Sequence, residues 1–212
     1  RARNHTHSSG VNVRITTWTI PLGRAMVDAV KELRILGGSA KGTVLETPRR
    51  GTRPSPSRLR EAVFDALQFA PRTPFLDLYA GTGAIGLEAA SRGSPVTLVE
   101  RARPAAAVLR RNARRAGLDV EVLEADALRV ARDRPDAYGV AFVAPPYPDD
   151  LTRIFTAVLD AHPVASGGRW LLQHPSRYDA VAALADALAR VRADPPRVRR
   201  YGSNAVTEVR RP

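Results

Sequence analysis

At 212 residues the chain is long enough for one well-buried domain with an appendage and short for two full domains. It contains no cysteine, which excludes disulfides, thiolate metal sites and cysteine nucleophiles. Its net charge of +12 is carried almost wholly by arginine, Lys31 and Lys41 being the only lysines. Arginine's planar donor fork fits phosphate, so nucleic acid is the leading partner class; the alternative is a charged surface that binds nothing.

No apolar run approaches the roughly 20 residues of a membrane span, and no stretch has a signal-peptide layout. The expectation is a cytoplasmic monomer without a membrane partner. His5, His7, His162 and His174 lack metal-ligand spacing to one another and to a carboxylate, so no metal is required.

Residues 1–30 read as a flexible leader with no clear period. Residues 31–70 read as a basic hairpin and helix module, and residues 71–212 as the main α/β domain. Two short apolar runs flank the glycines of Arg34-Ile35-Leu36-Gly37-Gly38, which predicts a hairpin closing near Leu45. Beyond it, Pro48–Ser57 is an arginine-bearing, proline-interrupted loop. Ser55 or Ser57 is placed to cap a helix with Leu59, Val63, Phe64 and Leu67 on one face. Arg34, Lys41, Arg49, Arg50, Arg53 and Arg58 are the candidate RNA contacts of this module.

Phe75-Leu76-Asp77-Leu78-Tyr79-Ala80-Gly81-Thr82-Gly83-Ala84-Ile85-Gly86 is the segment that organises the rest. A buried strand ends in an acid, turns on two glycines, and enters a helical pattern. Gly81 and Gly83 permit positive φ and close approach of backbone to a ligand. Free N–H groups at the helix start would favour an anionic group. Gly81-x-Gly83-x-x-Gly86 alone is also what a turn that merely packs helix on sheet would show. Asp77, at the carboxyl end of a strand, favours a ligand carrying an ammonium as well as a carboxylate.

Pro95–Glu100 predicts a second strand, and Glu100 stands near the spacing expected of a ribose-binding acid. A helix with Ala105, Val108, Leu109, Asn112 and Ala116 follows and stops at Gly117. Val120–Leu123 is a third strand, with Asp126 after it as a candidate acceptor for an adenine amino group. A fourth strand, Tyr138–Val143, runs into Ala144-Pro145-Pro146-Tyr147. Then come a helix from Leu151, a glycine turn at Gly167-Gly168, and a strand at Trp170–His174. An alanine-rich helix over Ala180–Val191 and a terminal hairpin over Arg197–Val209 complete the pattern. Strands alternating with helices predict a doubly wound, Rossmann-like sheet. His174 reads as a core residue rather than a base.

Two prolines and an aromatic at a strand end remove ladder donors and hold a rigid turn with exposed carbonyls. Methyl transfer to an exocyclic amine needs such acceptors, because they turn the lone pair toward the donor and stabilise developing positive charge. Tyr147 offers a stacking face to an extruded base.

With these marks, together with Thr52-Arg53-Pro54, Arg58-x-Arg60-Glu61 and Tyr201-Gly202, the chain from about Arg34 to Arg210 resembles the bacterial 16S ribosomal RNA guanine-N2 methyltransferases. The resemblance implies a seven-stranded α/β fold with a small N-terminal extension, S-adenosyl-L-methionine as cofactor, and the small ribosomal subunit or its assembly intermediate as partner. It implies that Asp77, Tyr79, Gly81 and Gly83 surround the methionine part. Glu100, with Arg101 beside it, would hold the ribose, and Asp126 with Ala127 the adenine. Ala144, Pro145, Pro146 and Tyr147 would form the catalytic turn. One position departs from the family pattern: Ala144 stands where an Asp or Asn carries a side-chain acceptor. That predicts a slow enzyme or a catalytically silent RNA-binding assembly factor. A DNA amino-methyltransferase is a further alternative, and a nicotinamide dehydrogenase explains the glycines but not the prolines.

Overall fold

The computed structural model describes residues 32–47, 57–67, 72–147 and 149–212. The leader, Arg49, Arg50, Arg53 and Ser55 lie outside the described residues. Helix α1 (Ser57–Leu67) precedes strand β1 (Phe75–Leu78), helix α2 (Gly86–Ser91), strand β2 (Val96–Val99), helix α3 (Arg103–Arg115) and strand β3 (Glu121–Leu123). Then follow α4 (Ala127–Asp133), β4 (Tyr138–Val143), α5 (Leu151–Ala161), β5 (Val164–Pro175), α6 (Ala180–Ala183), α7 (Ala185–Arg190), β6 (Arg197–Tyr201) and β7 (Asn204–Arg210).

The seven strands form one sheet in the order β3-β2-β1-β4-β5-β7-β6. β1 to β5 are mutually parallel, β7 is antiparallel to β5, and β6 is antiparallel to β7. This is the Rossmann-like, seven-stranded α/β architecture, carrying extra elements at its N-terminal side.

Both faces of the central strands are covered, which explains their nearly unbroken apolar runs. On one face Phe75, Leu98 and Phe142 pack with Leu59 and Phe64 of α1, Leu87 of α2 and Leu109 of α3. On the other, Leu76, Leu78 and Val143 pack with Val130 of α4, Phe155 and Val158 of α5, and Leu188 of α7. The two clusters alternate along β1 as the period of two requires. The predicted face of α1 holds: Leu59, Val63 and Phe64 are buried, with Leu67 partly so.

The N-terminal hairpin is a single antiparallel bridge, Arg34 to Val44, closed by Ile35 N–H to the Thr43 carbonyl and Leu45 N–H to the Leu33 carbonyl. It docks on the end of α2. Ser39 N–H donates to the Ser91 carbonyl, Ala40 N–H to the Ser91 hydroxyl, and that hydroxyl to the Gly37 carbonyl. Gly38 has φ +79°, and a Cβ there would meet the Ser91 carbonyl oxygen at 1.9 Å, so no larger residue fits. Glu88, fully buried, accepts from Leu36 N–H and from the Arg92 guanidinium, fastening the hairpin to the sheet layer.

Three expectations change. Gly167 and Gly168 are not a turn before β5 but a bulge inside it: Tyr138 pairs with Val164 and Val140 with Arg169, so three extra residues are absorbed there. A Cβ on Gly168 would lie 2.7 Å from the Gly139 carbonyl oxygen, which explains the glycine. The alanine-rich helix breaks at Leu184 into α6 and α7. Helix α4, which the sequence pattern does not announce, follows β3 at once, capped by Asp126.

Candidate functional site

The register Leu78↔Val143 sets the ends of β1 and β4 side by side. The glycine loop after β1 and the Ala144–Tyr147 turn after β4 therefore leave the same edge of the sheet as neighbours. This edge is also where the strand order reverses direction, the place at which open α/β sheets take ligands. Ala144 N–H still donates to the Leu78 carbonyl, at 3.4 Å, so the turn is fastened to β1 where the loop begins.

The loop geometry starts with Tyr79, whose φ of +67° is unusual for a bulky side chain. Gly81 and Gly83 also have positive φ, as expected. A Cβ on Gly83 would meet Leu109 at 2.4 Å, and one on Gly86 would meet Leu98 at 2.1 Å, so these two glycines also let α2 and α3 close on the sheet.

The expectation of free N–H groups at the start of α2 holds in part: among the described residues the Ala84 and Ile85 N–H groups have no acceptor, while three others are taken. Gly86 N–H donates to Asp77 Oδ2 at 2.8 Å, Gly83 N–H to the Ala80 carbonyl, and Leu87 N–H to the Gly83 carbonyl. Asp77 is buried behind the loop it pins, 2% exposed. Burial raises its carboxyl to about 7, against the Gly86 hydrogen bond, with the nearby Glu100 charge adding to the rise.

Glu100 Oε2 accepts from Gly81 N–H at 2.9 Å and its Oε1 from Ala102 N–H at 2.7 Å. The carboxylate thus ties the end of β2 to the glycine loop, and each oxygen keeps a lone pair for a hydroxyl donor. Asp126 is exposed and accepts from Arg129 N–H at 2.9 Å as the cap of α4; Ala127 is buried behind it. Tyr79 joins these elements electrostatically. Burial first, then the charges of Asp126 and Asp149, push its phenol up to about 12, while Arg101 and Arg153 oppose the shift. Tyr79, Arg101 and Asp126 therefore share one neighbourhood with the segment after Tyr147.

In the second turn, Ala144 is half-buried, Pro145 buried and Pro146 exposed, with the Pro146 carbonyl accepting from Asp149 N–H at 3.0 Å. Tyr147 is 41% exposed, a large aromatic on the surface. Its hydroxyl donates to Asn204 Oδ1 and accepts from Gln173 Nε2 at 3.2 Å. Sequence reasoning finds neither Asn204 nor Gln173; a turn asparagine and a strand glutamine carry no signal of this contact.

Asn112 is a further site residue that sequence reasoning misses. It is fully buried, accepts from Glu46 N–H, and donates to the carbonyls of Glu46 and Thr82, the last two at 3.0 Å. A signal exists in this case: an amide on the apolar stripe of α3, three residues beyond Leu109.

Among the candidate RNA contacts, Arg34, Lys41 and Arg58 are exposed. Arg34 pairs with Glu32 and donates to the Gly42 carbonyl. His174 is a core residue, bonded to the Thr207 hydroxyl and the Pro175 carbonyl, with burial pushing its pKa down.

The model of the family described as conserved hypothetical protein 95 matches residues 33–207. The chain belongs to that family. It is 35% identical over 123 residues to ribosomal RNA small subunit methyltransferase D of Escherichia coli K12, a match covering 55% of this chain and 61% of that one. The match thus spans less than two thirds of that relative. A hypothetical protein of Thermus thermophilus superposes with a TM-score of 0.72 at 40% identity, covering 84% of this chain and 98% of that one. A Thermus thermophilus 16S rRNA N2 methyltransferase, held with AdoMet and guanosine, shares the fold at a TM-score of 0.63 and 17% identity, over 77% of this chain and 45% of that one. The chain is thus similar in sequence to a bacterial rRNA methyltransferase and shares the fold of one held with AdoMet.

The pocket residues fit that cofactor. The glycine loop, the Glu100 carboxylate and the Asp126 cap converge on one strand-end edge. That donor and acceptor set suits an amino acid carboxylate, a ribose diol and an adenine.

Proposed function

We propose that the protein methylates the exocyclic N2 amine of a guanine in 16S rRNA, in the cytoplasm, on the small ribosomal subunit or an assembly intermediate of it. The observation that carries this reading is the adjacency of the glycine loop and the Ala144–Tyr147 turn through Leu78↔Val143. Cofactor and base then meet in one crevice, with the cofactor on the β1 and β2 side and the base on the β4 side.

When bound, S-adenosylmethionine supplies an electrophilic methyl; the N–C bond forms as the S–C bond breaks, and the amine proton leaves to water. Tyr79, Gly81 and Gly83 flank the methionine part, with Asp77 setting the loop from behind. Glu100 accepts from the ribose hydroxyls, with Arg101 beside it, and Asp126 with Ala127 borders the adenine. Tyr147 stacks on the extruded base, its ring fixed by Asn204 and Gln173. Backbone carbonyls at Ala144 and Pro145 accept from the amine, orienting its lone pair. No covalent enzyme intermediate is involved. Arg34, Lys41 and Arg58, with Arg49, Arg50 and Arg53, would grip phosphates, so binding weakens steeply with salt.

Ala144 supplies no side-chain acceptor, and losing one preorganised partner of that kind costs on the order of 10²–10³ in rate. This favours a slow enzyme, with a silent RNA-binding factor as the second reading. Incubation with labelled cofactor and 30S particles, or naked 16S rRNA, tests both. Label in a guanine supports the enzyme. Cofactor and RNA binding without label supports the silent factor, and label elsewhere contradicts the substrate.

A further inference from the structure

We propose that the edge strand β6 is a second contact for the RNA backbone, separate from the N-terminal arginines; the inference rests on the RNA-directed function above. Three of its five residues, Arg197, Arg199 and Arg200, are exposed arginines. Among the described residues none of the three makes an ion pair or a side-chain hydrogen bond. The nearby acids do not neutralise them. Glu208, opposite Arg197, is held by Arg169 at 3.1 Å and by Arg210 at 2.9 Å. Asp194, which lines the same hollow as Arg197, pairs with none of them. β6 therefore carries uncompensated positive charge along one edge of the sheet.

Direction gives this charge its meaning. β6 is antiparallel to β7, which is antiparallel to β5, so β6 runs the same way as β1 and β4. Its C-terminal end lies toward the edge from which the glycine loop and the Tyr147 turn emerge. The turn that follows, at Gly202-Ser203, delivers Asn204 to the Tyr147 hydroxyl. A strand rises about 3.3 Å per residue, so Arg197, Arg199 and Tyr201 form a row with steps of about 6.6 Å on one face. That row lines a shallow hollow with Ala62 and Val63 of α1, the helix that begins beside Arg58. Arg200 faces the opposite side. An extended polyanion that follows this edge strand to a base stacked on Tyr147 would thus meet Arg197 and Arg199 on one side and Arg200 on the other. Charged edge strands also serve simply to block strand pairing, and that role would leave RNA affinity unchanged.

The test uses the full chain with Arg197, Arg199 and Arg200 all changed to Gln. Fluorescence anisotropy with a labelled 16S rRNA transcript, across a KCl series, reads the salt slope. Losing three phosphate contacts should make the log–log slope shallower by about 2, at roughly 0.7 per contact on single-stranded RNA. S-adenosylhomocysteine affinity should not change, and the triple Lys variant should keep the wild-type slope. Should the triple Gln variant lose cofactor binding, the three single Gln variants replace it, each expected to lose about 0.7. A wild-type slope in the Gln variants, while the parent binds and methylates RNA, overturns this inference alone. A parent that binds no rRNA overturns the functional reading, and this inference with it.

Discussion

The side-chain amide of Asn112 donates to the Thr82 carbonyl in the middle of the glycine loop, and to the Glu46 carbonyl where the N-terminal hairpin ends. One buried side chain therefore sets both the candidate cofactor loop and the exit of the basic module. Asn112→Ala would leave three backbone groups of Glu46 and Thr82 without partners. At about 1–3 kcal/mol for a buried unsatisfied group, part of it recovered by water, the expected loss is about 2–4 kcal/mol. Urea unfolding and calorimetric titration with S-adenosylhomocysteine check this: both stability and affinity should fall. A variant unchanged in both would show that the amide positions nothing.

Asp77 gives a pH signature. Its ordinary carboxyl value is 3.8 and burial raises it to about 7 in the fold. Between those values the native protein holds a proton that the unfolded chain has released. The contribution is therefore fully present below about pH 4, declines as pH rises toward 7, and is flat above, with a slope of at most about 1.4 kcal/mol per pH unit. Asp77→Asn keeps an oxygen to accept from Gly86 and cannot titrate. The difference in unfolding free energy between parent and variant should vary from about pH 5 to 7 and level off above. A constant difference would mean that Asp77 titrates normally.

Ala144→Asp restores a carboxylate acceptor beside the amine. Methyl incorporation from labelled cofactor should rise, by about 10²–10³ if the acceptor is fully preorganised. A parent rate already fast, and unaffected by the change, would contradict the account of this position.

Tyr147 should act on RNA rather than on the cofactor. Removing a stacking ring costs about 1–3 kcal/mol, so Tyr147→Ala should raise KM for RNA roughly 5- to 150-fold with S-adenosylhomocysteine affinity unaltered. Tyr147→Phe and Asn204→Ala both break the hydroxyl anchor, and combined they should cost less than their sum. Simple additivity would mean that Asn204 works through something other than the Tyr147 hydroxyl.

The parts of this architecture readable from sequence are those whose burial is uniform. β1, β2 and β4 are covered on both faces, so their residues form short apolar runs bounded by Gly, Pro and acids. The terminal hairpin is readable because Gly202-Ser203 separates two strand-like runs. What escapes depends on tertiary contact. Gly167 and Gly168 look like a turn, yet the bulge against Gly139 holds them within β5. Leu184 interrupts an otherwise uniform alanine-rich pattern with a non-helical backbone that the sequence does not mark. In the site, the glycines and acids are legible because their chemistry constrains residue type. Their partners are not: Glu88, Asn112 and Asn204 take their importance from groups 30 to 66 residues away in sequence.

The most direct test is a crystal structure of the protein with S-adenosylhomocysteine. The methionine part should lie along Tyr79–Gly83, the ribose hydroxyls at Glu100, and the sulfur should face the turn of Pro145 and Tyr147. A ligand bound on any other edge of the sheet, or with its sulfur turned away from Tyr147, would contradict the shared crevice from which the proposed methyl transfer is derived.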